Sequence, residues 1–195
     1  KMAERKMLGN KTNGGFFKAT DKKDDKGKRV ILGLNLDTLE YRDPVQPRFD
    51  CTGAARKAEA LEDKVRIMHT GTDKGSVFAW KVFANTAIYA ANRIPEIADD
   101  IVNIDNASRW GFAWEIGIFE TWDLLGFDFV CDRMVKDGLK LPPIALAMKK
   151  AGANRFYKAE NGRDVYFDLK SGSYRPVQKN SNEISLPNLK KNLKI

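Results

Sequence analysis

The sequence predicts a mainly α-helical domain trimmed with small β-hairpins, and three observations carry that prediction. Apolar residues recur at three- and four-residue steps through the middle of the chain, glycines fall where helix ends are expected, and alternating strand patterns are confined to the flanks. With 43% hydrophobic and 10% aromatic residues among 195, there is enough apolar material for a packed core, which excludes global disorder.

Residues 8–18 form a glycine-punctuated turn ending on the pair Phe16-Phe17, and Asp21 to Lys28 is nearly all charged, an exposed loop. Val30–Asp37 and Glu40–Arg42 then read as two short strands around a turn, closed by Pro44 and Pro47. From Gly53 the period changes. Ala55, Ala58, Leu61, Val65 and Met68 mark one helix capped by Thr52, and Gly71 to Gly75 breaks it, with Asp73 or Ser76 able to cap the next. Val77 to about Val102 is long and apolar, and Pro95 must kink or split it, because proline lacks an amide donor and clashes one turn back. Shorter helices are expected over 104–110, 114–125, 129–137 and 143–151, with Gly126, Gly138 and Gly152 at their C-terminal ends. Residues 164–169 and 173–177 flank Lys170-Ser171-Gly172 as a hairpin, and 178–195 have the composition of a linker.

The formal net charge of +8 is unevenly spread. Residues 1–29 carry ten Lys/Arg against four Asp/Glu and residues 140–195 carry twelve against four, whereas the helical middle carries twelve against eighteen. Basic ends without a basic, aromatic-interleaved helix read as solvated loops, so nucleic acid is not the expected partner. No uncharged run approaches the roughly 20 residues of a membrane span, so no membrane association is expected. Lys1 to Lys6 lacks the apolar segment of a signal peptide, and the chain reads as cut from something longer. Cys51 and Cys131, 80 positions apart, have no metal-type spacing and read as reduced thiols of a cytoplasmic protein.

Few residues offer chemistry. No dinucleotide or phosphate-binding glycine motif is present. His69, the single histidine, falls at a helix end, where it suits the dipole and lacks the partner a catalytic base needs. Glu96, Asp99 and Asp100 share a helical spacing and read as a solvated acidic face, with Asp105, Glu115, Glu120 and Asp123 further along the acidic middle; no metal site is expected. Asn92-Arg93 interrupts the apolar helix before Pro95, a costly position unless the pair bonds to something. Trp110, Trp114 and Trp122 read as core or interface aromatics.

One internal repeat stands out. Gly15-Phe16-Phe17-Lys18 is echoed by Arg155-Phe156-Tyr157-Lys158 at an offset of 140, and Tyr41-Arg42 by Tyr174-Arg175 at an offset of 133. A repeated terminator means that the chain starts at the end of one unit and then contains a whole second one.

The series Ala91-Asn92-Arg93-Ile94-Pro95-Glu96-Ile97, Ile104-Asp105, Trp110-Gly111-Phe112, Gly117-Ile118-Phe119-Glu120-Thr121-Trp122-Asp123-Leu124-Leu125-Gly126 and Arg155-Phe156-Tyr157-Lys158 resembles the C-terminal domain of 3-hydroxyacyl-CoA dehydrogenases. Ile118, Thr121 and Arg155 stand where that pattern commonly has proline, leucine and glycine. The arrangement resembles the long form with tandem C-terminal copies followed by an enoyl-CoA hydratase domain. The resemblance implies a helical fold like the C-terminal domain of 6-phosphogluconate dehydrogenase. It divides the chain into the tail and hairpin of a preceding copy (1–49), a connecting helix and loop (50–75), a complete second copy (76–177) and a linker (178–195).

By that resemblance the parent chain oxidises 3-hydroxyacyl-CoA with NAD in fatty-acid β-oxidation. NAD and the catalytic His-Glu pair would lie on a dinucleotide domain outside this segment, which would bind no cofactor or metal and hold no catalytic residue. Asn92 is the position the motif marks for substrate contact. The implied partners are the chain's own dinucleotide domain, the first helical copy, the hydratase domain and the acyl-CoA; self-association through Phe78, Val82, Ile88 and Ile101 is expected if the long helix is left bare. The alternative is a free-standing basic helical module that binds nucleic acid or protein.

Overall fold

A computed structural model of the chain describes residues 1–178, apart from Asn13, Gln46, Asn161 and Gly162; the expected linker over 178–195 lies outside these residues except for Gln178. The chain divides into two compact units, Lys1–Arg48 and Phe49–Ile195.

The first unit is a 3-10 turn, Asn10–Thr12, followed by strands β1 (Phe17–Lys23), β2 (Arg29–Leu34) and β3 (Tyr41–Arg42) in an antiparallel sheet of that order. The two expected strands are present, and β1 extends them into the segment expected to be a loop. Its charged residues tolerate strand geometry because β1 is an edge strand with almost every side chain in water. The turn after it is held by Asp24, which accepts from the amides of Lys26 and Lys28 at 2.9 and 2.7 Å.

The second unit contains helices α1 (Asp50–Lys57), α2 (Leu61–Thr70), α3 (Lys74–Ala91), α4 (Ile101–Phe112), α5 (Ile118–Leu125), α6 (Phe127–Lys136) and α7 (Pro143–Lys150), then strands β4 (Tyr157–Glu160), β5 (Arg163–Asp168) and β6 (Ser173–Pro176). The single helix expected from Gly53 is two. Ala58 and Ala60 are extended although neither disfavours helix, so tertiary packing makes the break. It lets α1 bury Cys51 while α2 buries Val65. Gly75 allows the close approach, since a Cβ there would lie 2.6 Å from the Cys51 sulfur. Asp73 caps α3 by accepting from Ser76 N at 2.7 Å and reaches α1 by accepting from Cys51 N at 3.0 Å. Thr52 is not a cap. It sits inside α1, where its hydroxyl donates to Phe49 O.

Pro95 splits the long apolar segment. The α3 helix ends at Ala91, the Ile94–Pro95 peptide is cis, and α4 starts afresh at Ile101 with Asp100 accepting from Asn103 N. Glu96, Asp99 and Asp100 therefore do not share a helix face; they lie on the connection between the two helices. The next helix begins at Ile118 rather than near Trp114; Gly126 lies one residue past a helix end and Gly138 and Gly152 two residues past, all with positive φ.

The core is one cluster. Trp80, Phe83, Ala84, Ala87 and Ala91 of α3 meet Phe119 and Trp122 of α5, Val130 and Met134 of α6, and Ile144 and Met148 of α7. Phe156 sits fully buried at its sheet end, 4.9 Å from Phe119, 5.1 Å from Trp122 and 5.7 Å from Phe127 between ring centroids.

The two sheets share more than topology. Phe17 pairs with Gly33 and Leu34 with Tyr41 in the first; Tyr157 pairs with Tyr166 and Phe167 with Tyr174 in the second, the same register under offsets of 140 and 133. Tyr41 donates its hydroxyl to Gly15 O at 2.9 Å and Tyr174 to Arg155 O at 2.6 Å. Lys18 lies over the Tyr41 ring and Lys158 over the Tyr174 ring. The sequence echo is a structural one.

Candidate functional site

Three of the resembling motifs, Ile104-Asp105, Gly117–Gly126 and Arg155–Lys158, converge on a clasp between α4, α5 and β4, whereas Asn92-Arg93 lies apart from it. Asp105 is fully buried; its Oδ1 accepts from Phe119 N at 2.9 Å, and its Oδ2 from Glu120 N at 3.2 Å and the Tyr157 hydroxyl at 3.0 Å. A carboxylate there occupies amides that the first turn of α5 leaves without helical partners. Burial pushes Asp105 up to about 7, against the pull of the Phe119 amide. Gly117 makes room for it, since a Cβ at 117 would fall 2.2 Å from its Cγ. Glu120 accepts from Gly117 N at 2.7 Å and pairs with Arg109 at 2.5 Å, while Arg109 also donates to Asn106.

Asp123, at the other end of α5, accepts from Phe156 N at 2.7 Å and Tyr157 N at 2.8 Å. Burial raises it to about 6, opposed by those two amides. Asp105 and Asp123 together fasten the aromatic terminator to α5. A polar cleft of about 580 Å³ opens beside the clasp, lined in part by Arg109, Trp110, Glu120, Arg155 and Lys158.

Asn92 ends α3. Its amide donates to Ile88 O at 3.0 Å, and its side chain is exposed with no hydrogen bond to the described residues. Arg93 behaves differently: it pairs with Glu96 at 2.8 Å and covers the Tyr89 ring at 5.2 Å, while its buried Nε has no partner among the described residues. It lines an apolar groove of about 720 Å³ with Tyr89, Ile97, Phe112, Trp114 and Ile118.

The groove continues an exposed stripe on α3. Phe78, Val82 and Tyr89 are 71%, 49% and 64% exposed, on the face opposite Trp80, Phe83, Ala84 and Ala87. Of the four residues expected on a bare helix, Phe78 and Val82 are exposed, Ile88 is packed on the core's edge, and Ile101 is buried. Trp122 is fully buried, whereas Trp110 and Trp114 are 77% and 48% exposed.

His69 is structural. Its Nδ1 lies 2.8 Å from Val65 O and its ring meets Phe83 edge-on; burial lowers its pKa. Arg133 donates to His69 O at 2.6 Å and stacks over Trp80, whose indole donates to Asp137. Cys51 and Cys131 are buried free thiols. Among the described residues no three His, Cys, Asp or Glu converge as a metal site, and no helix is long and apolar enough to cross a membrane.

Asp105 and Asp123 were visible in the sequence as members of an acidic stretch and of the resembling motifs, but nothing there assigned them a bonding role. The signal that distinguishes Asp105 is its spacing, four after Ile101 and three before Ser108, which places it on the buried face of α4.

Comparison with known proteins agrees with the motif resemblance. Over 189 residues, 97% of its length, the chain is 33% identical to a Bacillus subtilis (strain 168) protein described as "Probable 3-hydroxyacyl-CoA dehydrogenase", of which it covers 23%. It is 26% identical over 121 residues, 62% of its length, to a "Putative fatty acid oxidation complex trifunctional enzyme" of Rickettsia felis, of which it covers 15%. The protein of the same description in Rickettsia prowazekii matches at 26% over 120 residues. The chain thus spans less than a quarter of the length of these curated relatives. No family model and no solved structure matches it.

Proposed function

We propose, from the premise that this chain is homologous to a segment of 3-hydroxyacyl-CoA dehydrogenases, that it is a helical portion of such an enzyme. The parent would oxidise 3-hydroxyacyl-CoA to 3-oxoacyl-CoA with NAD, in fatty-acid oxidation. Similarity along 97% of the chain is the observation that carries this reading. In it, residues 76–177 are a second C-terminal copy with a fold like that domain of 6-phosphogluconate dehydrogenase, and residues 1–49 end a preceding copy. The matching registers of the two sheets support that division.

The segment's task in this reading is packing. The clasp spends the Asp105 and Asp123 carboxylates on backbone amides and the Tyr157 hydroxyl, which leaves them nothing to contribute to hydride transfer. The stripe of Phe78, Val82 and Tyr89 supplies an apolar face for the first copy or a second subunit. The dinucleotide domain supplies NAD binding and the catalytic histidine, and Asn92 is the one position of this segment assigned to face substrate. Its exposure at the end of α3 leaves its side chain free to do so.

The reading is tested by deleting residues 49–178 from the full-length parent and measuring NADH formation from a 3-hydroxyacyl-CoA. Loss of turnover with the dinucleotide domain still binding NAD supports it; unchanged turnover refutes it.

A further inference from the structure

In the second unit, Phe156, Val165 and Phe167 share one face of the sheet and are 0%, 5% and 1% exposed. Phe16, Leu32 and Leu34 hold the equivalent positions of the first sheet, in the same register, with Leu34 N donating to Phe16 O as Phe167 N donates to Phe156 O. Yet Phe16 is 62% exposed, and Leu32 and Leu34 are only half-buried. A sheet face of this composition is covered in one copy and bare in the other.

The covered copy shows what the bare one is shaped to receive. Phe156 packs among Phe119, Trp122 and Phe127, and the amides at the start of its strand are held by Asp123, 33 and 34 positions earlier in the chain. Backbone amides beside a buried aromatic need an acceptor when water is excluded, and a carboxylate supplies a charge-assisted one. We infer that the first sheet docks on a helix of the α5 type, which carries an aspartate 33 residues upstream of Phe16 and bulky apolar side chains at the positions matching Phe119 and Trp122. The inference rests on reading residues 1–49 as the end of a preceding copy, and adds which side chains receive them. Phe17 stands where the second copy has Tyr157. The first clasp therefore lacks the hydroxyl that reaches Asp105, and its counterpart of Asp105 answers to amides alone.

The experiment compares backbone amide exchange at Phe16 and Phe17 in the full-length protein and in the 195-residue chain. The expected result is an aspartate at the stated position and exchange at least about tenfold slower in the full-length protein. Replacing that aspartate with asparagine then removes the protection, while Phe156 and Tyr157 keep theirs. Phe16→Asp provides an independent readout: it should speed tryptic cleavage within Asp21–Lys28 in the full-length protein and leave the 195-residue chain unaffected. An upstream helical copy with no carboxylate at that position, or equal exchange in the two proteins, overturns the inference while leaving the tandem reading intact. An upstream sequence with no such helices overturns both.

Discussion

The Tyr157 hydroxyl donates to the buried carboxylate of Asp105 across 3.0 Å, joining the first residue of β4 to a helix that lies 52 positions earlier. A buried acid raised to about 7 invites assignment as a proton donor. Its surroundings decide against that. Both oxygens accept from the protein, Oδ1 from one amide and Oδ2 from an amide and the phenol, and the residue has no exposed surface. Tyr157→Phe should destabilise the chain by about 1 kcal/mol, the usual net worth of one such hydrogen bond. Asp105→Asn should cost more, because its amide nitrogen would face a backbone N–H. Urea unfolding followed by circular dichroism checks both, and a Tyr157→Phe variant as stable as the parent would remove the clasp from the account.

The pH dependence follows from the sign of the shifts. Asp105 and Asp123 lie at about 7 and about 6 when folded, above the unfolded carboxylate range. As pH rises from about 4, the unfolded chain loses these protons first, so stability present at acidic pH is lost as pH climbs to about 7. Asp73, held down to about 2 chiefly by the Cys51 amide, works the other way, and its contribution is lost as pH falls below about 4. Thermal midpoints should therefore peak near pH 4–5 and decline toward pH 8, with Asp105 accounting for no more than roughly 4 kcal/mol of the change. Asp105→Asn should flatten the decline. A midpoint that rises steadily from pH 4 to 8 would contradict it.

Gly117 should be intolerant of any side chain. A Cβ would sit 2.2 Å from Asp105 Cγ and 2.5 Å from its Oδ1, so either α5 moves or the carboxylate leaves its amides. Gly117→Ala is expected to cost a few kcal/mol, like other overpacked core substitutions. Gly111→Ala, with open space around it, is the control and should be nearly neutral by the same unfolding measurement.

The exposed α3 stripe separates fold from association. Phe78→Asp should leave unfolding within about 0.5 kcal/mol of the parent chain, because that side chain is 71% exposed. In sedimentation velocity it should weaken any self-association of the 195-residue chain, and in the full-length protein it should loosen packing against the preceding copy proposed above. An oligomer that survives Phe78→Asp and Tyr89→Asp together would place the interface elsewhere.

How much of this could be read in the sequence depends on where each signal lies. Gly126, Gly138, Gly152 and Gly172 announced turns because positive φ is a local demand that few other residues meet. Pro95 announced a break for an equally local reason, although only the three-dimensional structure shows that α3 and α4 are separate helices. The split at Ala58–Ala60 left no local trace, because Cys51 against Gly75 and Val65 in the core impose it. Strand β1 was hidden by its lysines, which an edge strand tolerates. At the clasp, the motif residues were identifiable by type and order, but the burial of Asp105 and the bonding of Asp123 to a strand 33 positions later are long-range facts. Composition marked an acidic stretch, and only packing shows that Asp105 within it is buried.

The central claim is that this chain serves a 3-hydroxyacyl-CoA dehydrogenase without performing its chemistry. The most direct measurement is NADH absorbance on adding NAD and a 3-hydroxyacyl-CoA, first to the full-length parent and then to the 195-residue chain. The account predicts steady turnover by the parent and none by the chain alone, whose only histidine is held between Val65 O and Phe83. NADH formation by the chain alone, or a parent that binds NAD but never oxidises the 3-hydroxyl group, would contradict it.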